Sequence, residues 1–355
     1  MHRHELRAPH GPEEGSSDRG AGADLRGHAR LPAAGHDDGG TIVTIEIIRP
    51  ADRAAWLACR QKDVTASVAA AVLGAHPYTT PYALWAEKTG RLSPDDEETE
   101  AMERGNLMEP VVVAMIRKRF PEWTVIYEND RAYYRDPDRR IGATPDAFIR
   151  RADRAGTGNC QIKSASEDAF KQYWLDPDSG DVVPPTWIAV QAITEAQLTG
   201  CAWACVALVV ITWRGTFQLH IIDIPIHFRL WNRLVAKVDE FWATVESGKE
   251  PDPDWQRDGD VVLDVYRAST PERRDLTADQ HLDSMVADYR ACKEAAGAAV
   301  SRAEALRPII IRALGHAEIG ETANWEVSAR TSHRNGGRST RVLRVKPRRD
   351  LNGSF

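Results

Sequence analysis

At 355 residues with a formal net charge of −6, the chain has room for one large domain with appendages, or two, and lacks the blanket positive charge of a histone-like coat. Its 42% hydrophobic and 28% charged residues are those of a soluble globular protein, and a local basic groove is compatible with that balance. Five scattered cysteines (Cys59, Cys160, Cys201, Cys205, Cys292) without a CxxC pair argue against a disulfide framework or an iron–sulfur cluster and point to a reducing, cytoplasmic compartment.

Residues 1–40 are rich in Gly, Ala, Asp, Arg and His and almost free of large apolar side chains, so a disordered extension is expected there. No apolar segment follows their basic residues as a secretory signal requires. Order is expected from Thr41, with strand character over 42–45. Asp52 caps a helix running through Trp56 and Leu57 to Arg60, and Thr65-Ala66-Ser67 opens an Ala/Val-rich helix ending near Gly74. Pro81 starts a helix stopped at Gly90, and an acidic link over 94–100 leads into a helix over 99–120.

Strands follow over 124–127, 132–134, 146–149 and 160–163, then a loop over 175–185 and a helix over 186–198 stopped by Gly200. Strands over 204–212 and 217–224 flank a turn at Trp213-Arg214-Gly215-Thr216. The longest apolar run, 206–211, is the length of a buried strand, and no run is long enough to cross a membrane. A helix over 227–245 precedes a Pro-, Asp- and Gly-rich stretch at 248–260, and a helix over 279–314 precedes strands at 325–329 and 341–345, parted at Gly336-Gly337. The domain reading is an extension at 1–40, a core at 41–250, a linker at 251–275, and a C-terminal helix and β-hairpin extension at 276–355.

Three short stretches carry the chemistry: Arg104-Gly105-Asn106-Leu107-Met108-Glu109-Pro110, Gly142-Ala143-Thr144-Pro145-Asp146 and Gln161-Ile162-Lys163. They read as an acid on a helix, an acid at a strand, and a strand whose alternate residues leave one face. Mg²⁺ takes carboxylate, carbonyl and water oxygens, so Glu109 and Asp146 are the natural ligands, joined by the Gln161 amide oxygen and the Ile162 backbone carbonyl. Lys163 on the same face would lie against an attacking water or a phosphate oxygen, while the Ile162 side chain turns to the buried face. Such a site cuts phosphodiester bonds, with Mn²⁺ as a substitute ion. Each piece alone has a plainer origin in a turn, a polar strand surface or a first-turn acid; their order and spacing favour the metal site.

These motifs resemble the YqaJ-type viral recombinase family, relatives of the phage lambda exonuclease in the PD-(D/E)xK nuclease superfamily, from about Trp56 to Pro251. Thr65-Ala66-Ser67 with Gly74 resembles the family's N-terminal helix motif, Arg104-Gly105 with Glu109-Pro110 its acidic helix, and Gln191 with Gly200 the glutamine-bearing helix after the catalytic strands. The resemblance implies an α/β fold with a restriction-endonuclease-like core, a mixed central β-sheet flanked by α-helices. It also implies Mg²⁺-dependent exonuclease digestion of linear double-stranded DNA from an end, in phage-type recombination or repair. Gln191 would position water or phosphate, and Arg60 and Ser67 would anchor a 5′-phosphate. A single-strand annealing recombinase as partner and a ring of three subunits follow from the resemblance alone.

The family usually places Glu where this chain has Gln161, which removes one negative charge from the metal set. A RecB-like endonuclease shares the same core, and a DNA-binding relative weakened at Gln161 is the non-enzymatic alternative. Trp174 and Trp187 border the region and suit either base stacking or the core. Lys171, Lys237 and Arg214 read as solvated charges, and His220 and His227 as structural. Arg338, Arg341, Arg344, Lys346, Arg348 and Arg349 form a basic cluster suited to DNA or to a solvated hairpin.

Overall fold

The structure is a computed structural model and describes residues 44–92, 99–128, 131–332 and 340–348. The extension expected over 1–40, the start of the strand expected over 42–45, most of the acidic link, the Gly336-Gly337 turn, Arg338 and Arg349 lie outside the described residues.

Strand β1 (Glu46–Ile48) leads to α1 (Arg53–Gln61), where Asp52 accepts a hydrogen bond from the Ala55 N–H at 2.8 Å and caps the helix. The helix expected to open at Thr65 begins later. Val64 and Thr65 form β2 (Val64–Thr65), and only α2 (Ala69–Val72) is helical before Gly74 turns at φ 67°. Then come α3 (Pro81–Lys88), capped by Thr80, and α4 (Glu100–Arg119), capped by Thr99.

The next strands are β3 (Thr124–Ile126), β4 (Tyr133–Asp136), β5 (Ile141–Ala143), β6 (Ala147–Arg150) and β7 (Gly158–Ser166). Helices α5 (Glu167–Tyr173) and α6 (Thr186–Thr199) precede β8 (Trp203–Ile211) and β9 (Phe217–Ile224), and α7 (Phe228–Ser247) ends at Gly248 with φ 66°.

The central sheet has the order β3-β6-β7-β8-β9, with β7 and β8 parallel and the other neighbours antiparallel. A parallel pair needs a crossover, and α5 with α6 provides it. On one face Val112, Val113 and Ile116 of α4 pack on Ile149, Cys160, Ile162, Ala207 and Val209. On the other, Ile188, Ala192 and Ile193 of α6 pack on Val206, Leu208 and Val210. Covering both faces explains why β8 is apolar throughout rather than alternating. This is the expected mixed sheet flanked by helices.

A second sheet, β1-β4-β5-β2, lies under α2, α3 and α7. Its β2–β5 pairing is parallel, Val64 opposite Ile141 and Thr65 opposite Gly142. The buried Asp63 ties this sheet together, accepting from Arg135 at 2.8 and 3.0 Å and from the Tyr133 hydroxyl at 2.9 Å.

The chain divides into two compact units, Met1–Ser269 and Thr270–Phe355. The stretch expected as a linker over 251–275 instead carries a helix, α8 (Gly259–Val265), within the first unit. Val261, Val262 and Val265 pack against that unit's core, and the buried Asp258 accepts from the Thr80 hydroxyl at 2.5 Å. The second unit holds α9 (Gln280–Leu314) and an antiparallel sheet of β10 (Ile319–Glu321), β11 (Trp325–Ser332) and β12 (Thr340–Pro347). Among the described residues no helix is long and apolar enough to cross a membrane.

Candidate active site

The five-stranded sheet, α4 and α6 converge on one cavity of about 810 Å³ in the first unit. Glu109 reaches it from the middle of α4, where only 8% of the residue is exposed. Pro110 follows within the helix on the exposed side. Asp146 stands just before β6, in the turn from β5, and is held there by β5 pairing with β2 and β6 pairing with β7. Gln161 and Lys163 leave the α6 face of β7, while Ile162 is buried on the α4 face, as strand alternation requires.

Glu109 and Asp146 point at the same place. One nitrogen of Arg131, Nη1, lies 3.2 Å from Glu109 Oε2 and 2.8 Å from Asp146 Oδ1. The second Asp146 oxygen, Oδ2, accepts from Gln161 Nε2 at 2.5 Å and from the Ile162 N–H at 2.8 Å. The Tyr127 hydroxyl donates to Glu109 Oε2 at 3.4 Å. Burial, then the charge of Asp146, pushes the Glu109 carboxyl above its usual range, and Arg131 and Lys163 oppose that rise. Burial and the Glu109 charge likewise raise Tyr127.

Gln191 of α6 enters the same cavity, and its Nε2 donates to Glu195 Oε1 at 2.9 Å. Glu195, which sequence reading passed over, is 1% exposed and also accepts from Asn159 Nδ2 at 2.9 Å. Burial pushes its carboxyl up to about 8, helped by the charge of Asp146 and opposed by the two amides and Lys163. Arg131 was likewise not singled out from sequence.

The donor set fits a hard divalent cation. Gln161 Oε1 is buried without a hydrogen-bond partner among the described residues, and an orphaned oxygen beside two converging carboxylates is suited to a cation. Among the described residues no three His, Cys, Asp or Glu side chains gather as a metal group, so such an ion would draw on two carboxylates and neutral oxygens.

Arg60 and Ser67 also line the cavity and meet there. Arg60 Nη2 donates to Ser67 Oγ at 3.1 Å, and Ser67 Oγ lies 3.1 Å from Thr65 Oγ1. The guanidinium stacks 4.5 Å over the Trp56 ring, whose Nε1 donates to Thr144 Oγ1 at 3.0 Å. Burial pulls Arg60 below its ordinary value.

Other residues weighed from sequence take structural places. Trp174 is in the core, and Trp187 packs against it with Tyr173 edge-on. Lys171 pairs with Glu167 at 2.7 Å and Lys237 with Glu240 at 2.5 Å, while Arg214 lies over Trp213. His220 stacks on Phe170, and His227 precedes α7. In the second unit, Arg341 donates to the carbonyls of Ala329, Gly315 and Ala317, Lys346 pairs with Glu326 at 3.0 Å, and Arg348 with Glu321 at 3.1 Å.

Residues 55–202 match the model of the YqaJ-like viral recombinase domain. The chain is 25% identical over 277 residues to the uncharacterized protein YqaJ of Bacillus subtilis (strain 168), covering 76% of this chain and 81% of that protein. Among solved structures it is similar to an alkaline exonuclease, LHK-Exo, from Laribacter hongkongensis, with 21% identity, a TM-score of 0.40, and coverage of 54% of this chain and 92% of that one. A putative exonuclease from Eubacterium rectale aligns at 10% identity and a TM-score of 0.37, covering 63% of this chain and 94% of that one. The likeness to the YqaJ-type family read from the motifs holds over the matched span.

Proposed function

We infer that this chain, with its YqaJ-like domain, is a divalent-metal-dependent nuclease that digests linear duplex DNA from an end. The observation that carries the reading is the convergence of Glu109 and Asp146 on one point, 3.2 and 2.8 Å from a single Arg131 nitrogen, with Gln161 and Lys163 on the adjoining strand. Two buried carboxylates this close repel unless a cation stands beside them, as Arg131 does here, which suits the pair to a bound dication. Mg²⁺ bound there would neutralise phosphate charge and lower the pKa of an attacking water.

The protein's own side chains do the rest. Glu109, Asp146 and Gln161 offer the oxygens. The Gln161 amide and Ile162 N–H fix Asp146 by its second oxygen. Lys163, with no hydrogen bond or ion pair among the described residues, is available to a phosphate or nucleophile. Arg60 and Ser67 present a guanidinium and a hydroxyl suited to a terminal phosphate. Gln191 adds an amide to the cavity lining.

End-labelled linear duplex and closed circular duplex, each with Mg²⁺ or Mn²⁺, test the reading. Loss of linear but not circular DNA, reduced about 10²-fold or more by Lys163→Ala, is expected. Cutting of circles would favour the endonuclease alternative. No cleavage by either protein, with DNA still bound, would leave a binding module weakened at Gln161.

A further inference from the structure

Glu195 is buried to the depth of the core, 1% exposed, yet it lines the cavity that holds Glu109, Asp146 and Lys163. It comes from α6, not from the catalytic strand. Its two oxygens accept from Gln191 Nε2 and Asn159 Nδ2, each at 2.9 Å, so two neutral amides hold it and, among the described residues, no basic side chain is paired with it. The site charges that act on it are Asp146 and Lys163. A carboxyl group placed so deep without a cationic partner requires a reason.

Counting charge supplies one. Where Glu109 and Asp146 meet, their two negative charges face the two positive charges of Arg131 and Lys163. The fixed charge facing a dication is therefore zero unless another acid contributes. The side chain best placed to add that charge on β7, at position 161, is an amide. Asn159 stands two residues before it on the same strand face, and Glu195 is hydrogen-bonded to Asn159.

We propose that Glu195, giving up its proton when the cation binds, supplies from helix α6 the negative charge that Gln161 lacks, so that three carboxylates rather than two set the affinity of the cation site, and that it orients the Gln191 amide in the cavity. This rests on the nuclease reading above. Glu195 acts as a positioning and charge-balancing residue behind the ligands.

The test is binding of Mn²⁺ to the full chain without DNA, with the free ion followed by electron paramagnetic resonance. Glu195→Gln should weaken binding by about tenfold or more, the range in which partners behind metal ligands act. The double variant Q161E/E195Q, which moves the carboxylate to β7, should return to within about threefold of the wild type. A single variant that binds like the wild type, or a double variant no better than the single, overturns the proposal and leaves the nuclease reading standing. Absence of Mn²⁺ binding by the wild type overturns both.

Glutamine at 195 brings an amide donor against the two amides that now donate to Glu195, so metal-free thermal unfolding is recorded for each protein. If the single variant does not fold, the double variant decides by itself. Affinity within about threefold of the wild type then supports the proposal, and a loss of about tenfold overturns it.

Discussion

A single guanidinium nitrogen of Arg131 lets two buried acids sit side by side, within 2.8 Å of Asp146 and 3.2 Å of Glu109. It occupies the position a dication would compete for. Arg131→Gln should therefore destabilise the ion-free protein by about 1–3 kcal/mol, the side chain being 27% exposed and partly screened, while Mn²⁺ binds more tightly. Urea unfolding with and without Mn²⁺ reads both effects; equal affinity in the two proteins would remove Arg131 from this role.

Glu195 makes a pH prediction of definite sign. Its folded carboxyl titrates at about 8, above an unfolded value near 4.5, so its contribution to stability is complete below the unfolded value and is lost as pH rises through about 8. The raised Glu109 acts in the same direction. Ion-free protein should lose about 2–3 kcal/mol from this group between pH 6 and 9, a slope that Glu195→Gln flattens in denaturant titrations. The alternation that puts Gln161 and Lys163 together was legible because a strand has a period of two. Arg131 lies outside any periodic segment, and Glu195 is set among apolar residues of α6, where the helical pattern speaks only of core.

At the level of elements, the stretch from β4 to β6 decides where Asp146 stands. The three-residue β5 went unseen in the sequence because it is short and centred on Gly142, a residue that weakens strand propensity. The structure shows why glycine is needed: a Cβ at Gly142 would collide with the Tyr133 ring and hydroxyl, which the buried Asp63 holds. Gly142→Ala should cost about 1–3 kcal/mol in urea unfolding and weaken Mn²⁺ binding through displacement of Asp146. An unchanged midpoint would show that Tyr133 can move aside. The short α5 and α8 were hidden for another reason: each is a turn or two of helix whose place is set by tertiary contacts, not by local pattern.

For the molecule as a whole, every residue assigned to the cavity belongs to the unit that ends at Ser269. A chain shortened to residues 1–269 should keep its unfolding midpoint and its Mn²⁺ affinity. A chain ending at residue 250 should unfold several degrees lower, because it loses α8 and the Asp258–Thr80 hydrogen bond. Calorimetry on the two proteins separates a core ending near 250 from one ending near 269. Composition alone suggested the earlier end, since the Pro, Asp and Gly of 248–260 are linker-like. Only the packing of Val261, Val262 and Val265 shows that the chain returns to the core after them.

Arg60, Trp56 and Thr144 form a chain of contacts that reaches toward Asp146, since Arg60 stacks on an indole whose N–H donates to the turn two residues ahead of that acid. A strand terminus engaging the guanidinium, as the proposed function has it, would pull on the acid as well. Substrates whose terminus does not engage Arg60 should suffer in turnover more than in binding, and Trp56→Phe, which cuts the linkage but keeps the ring, should erase the distinction.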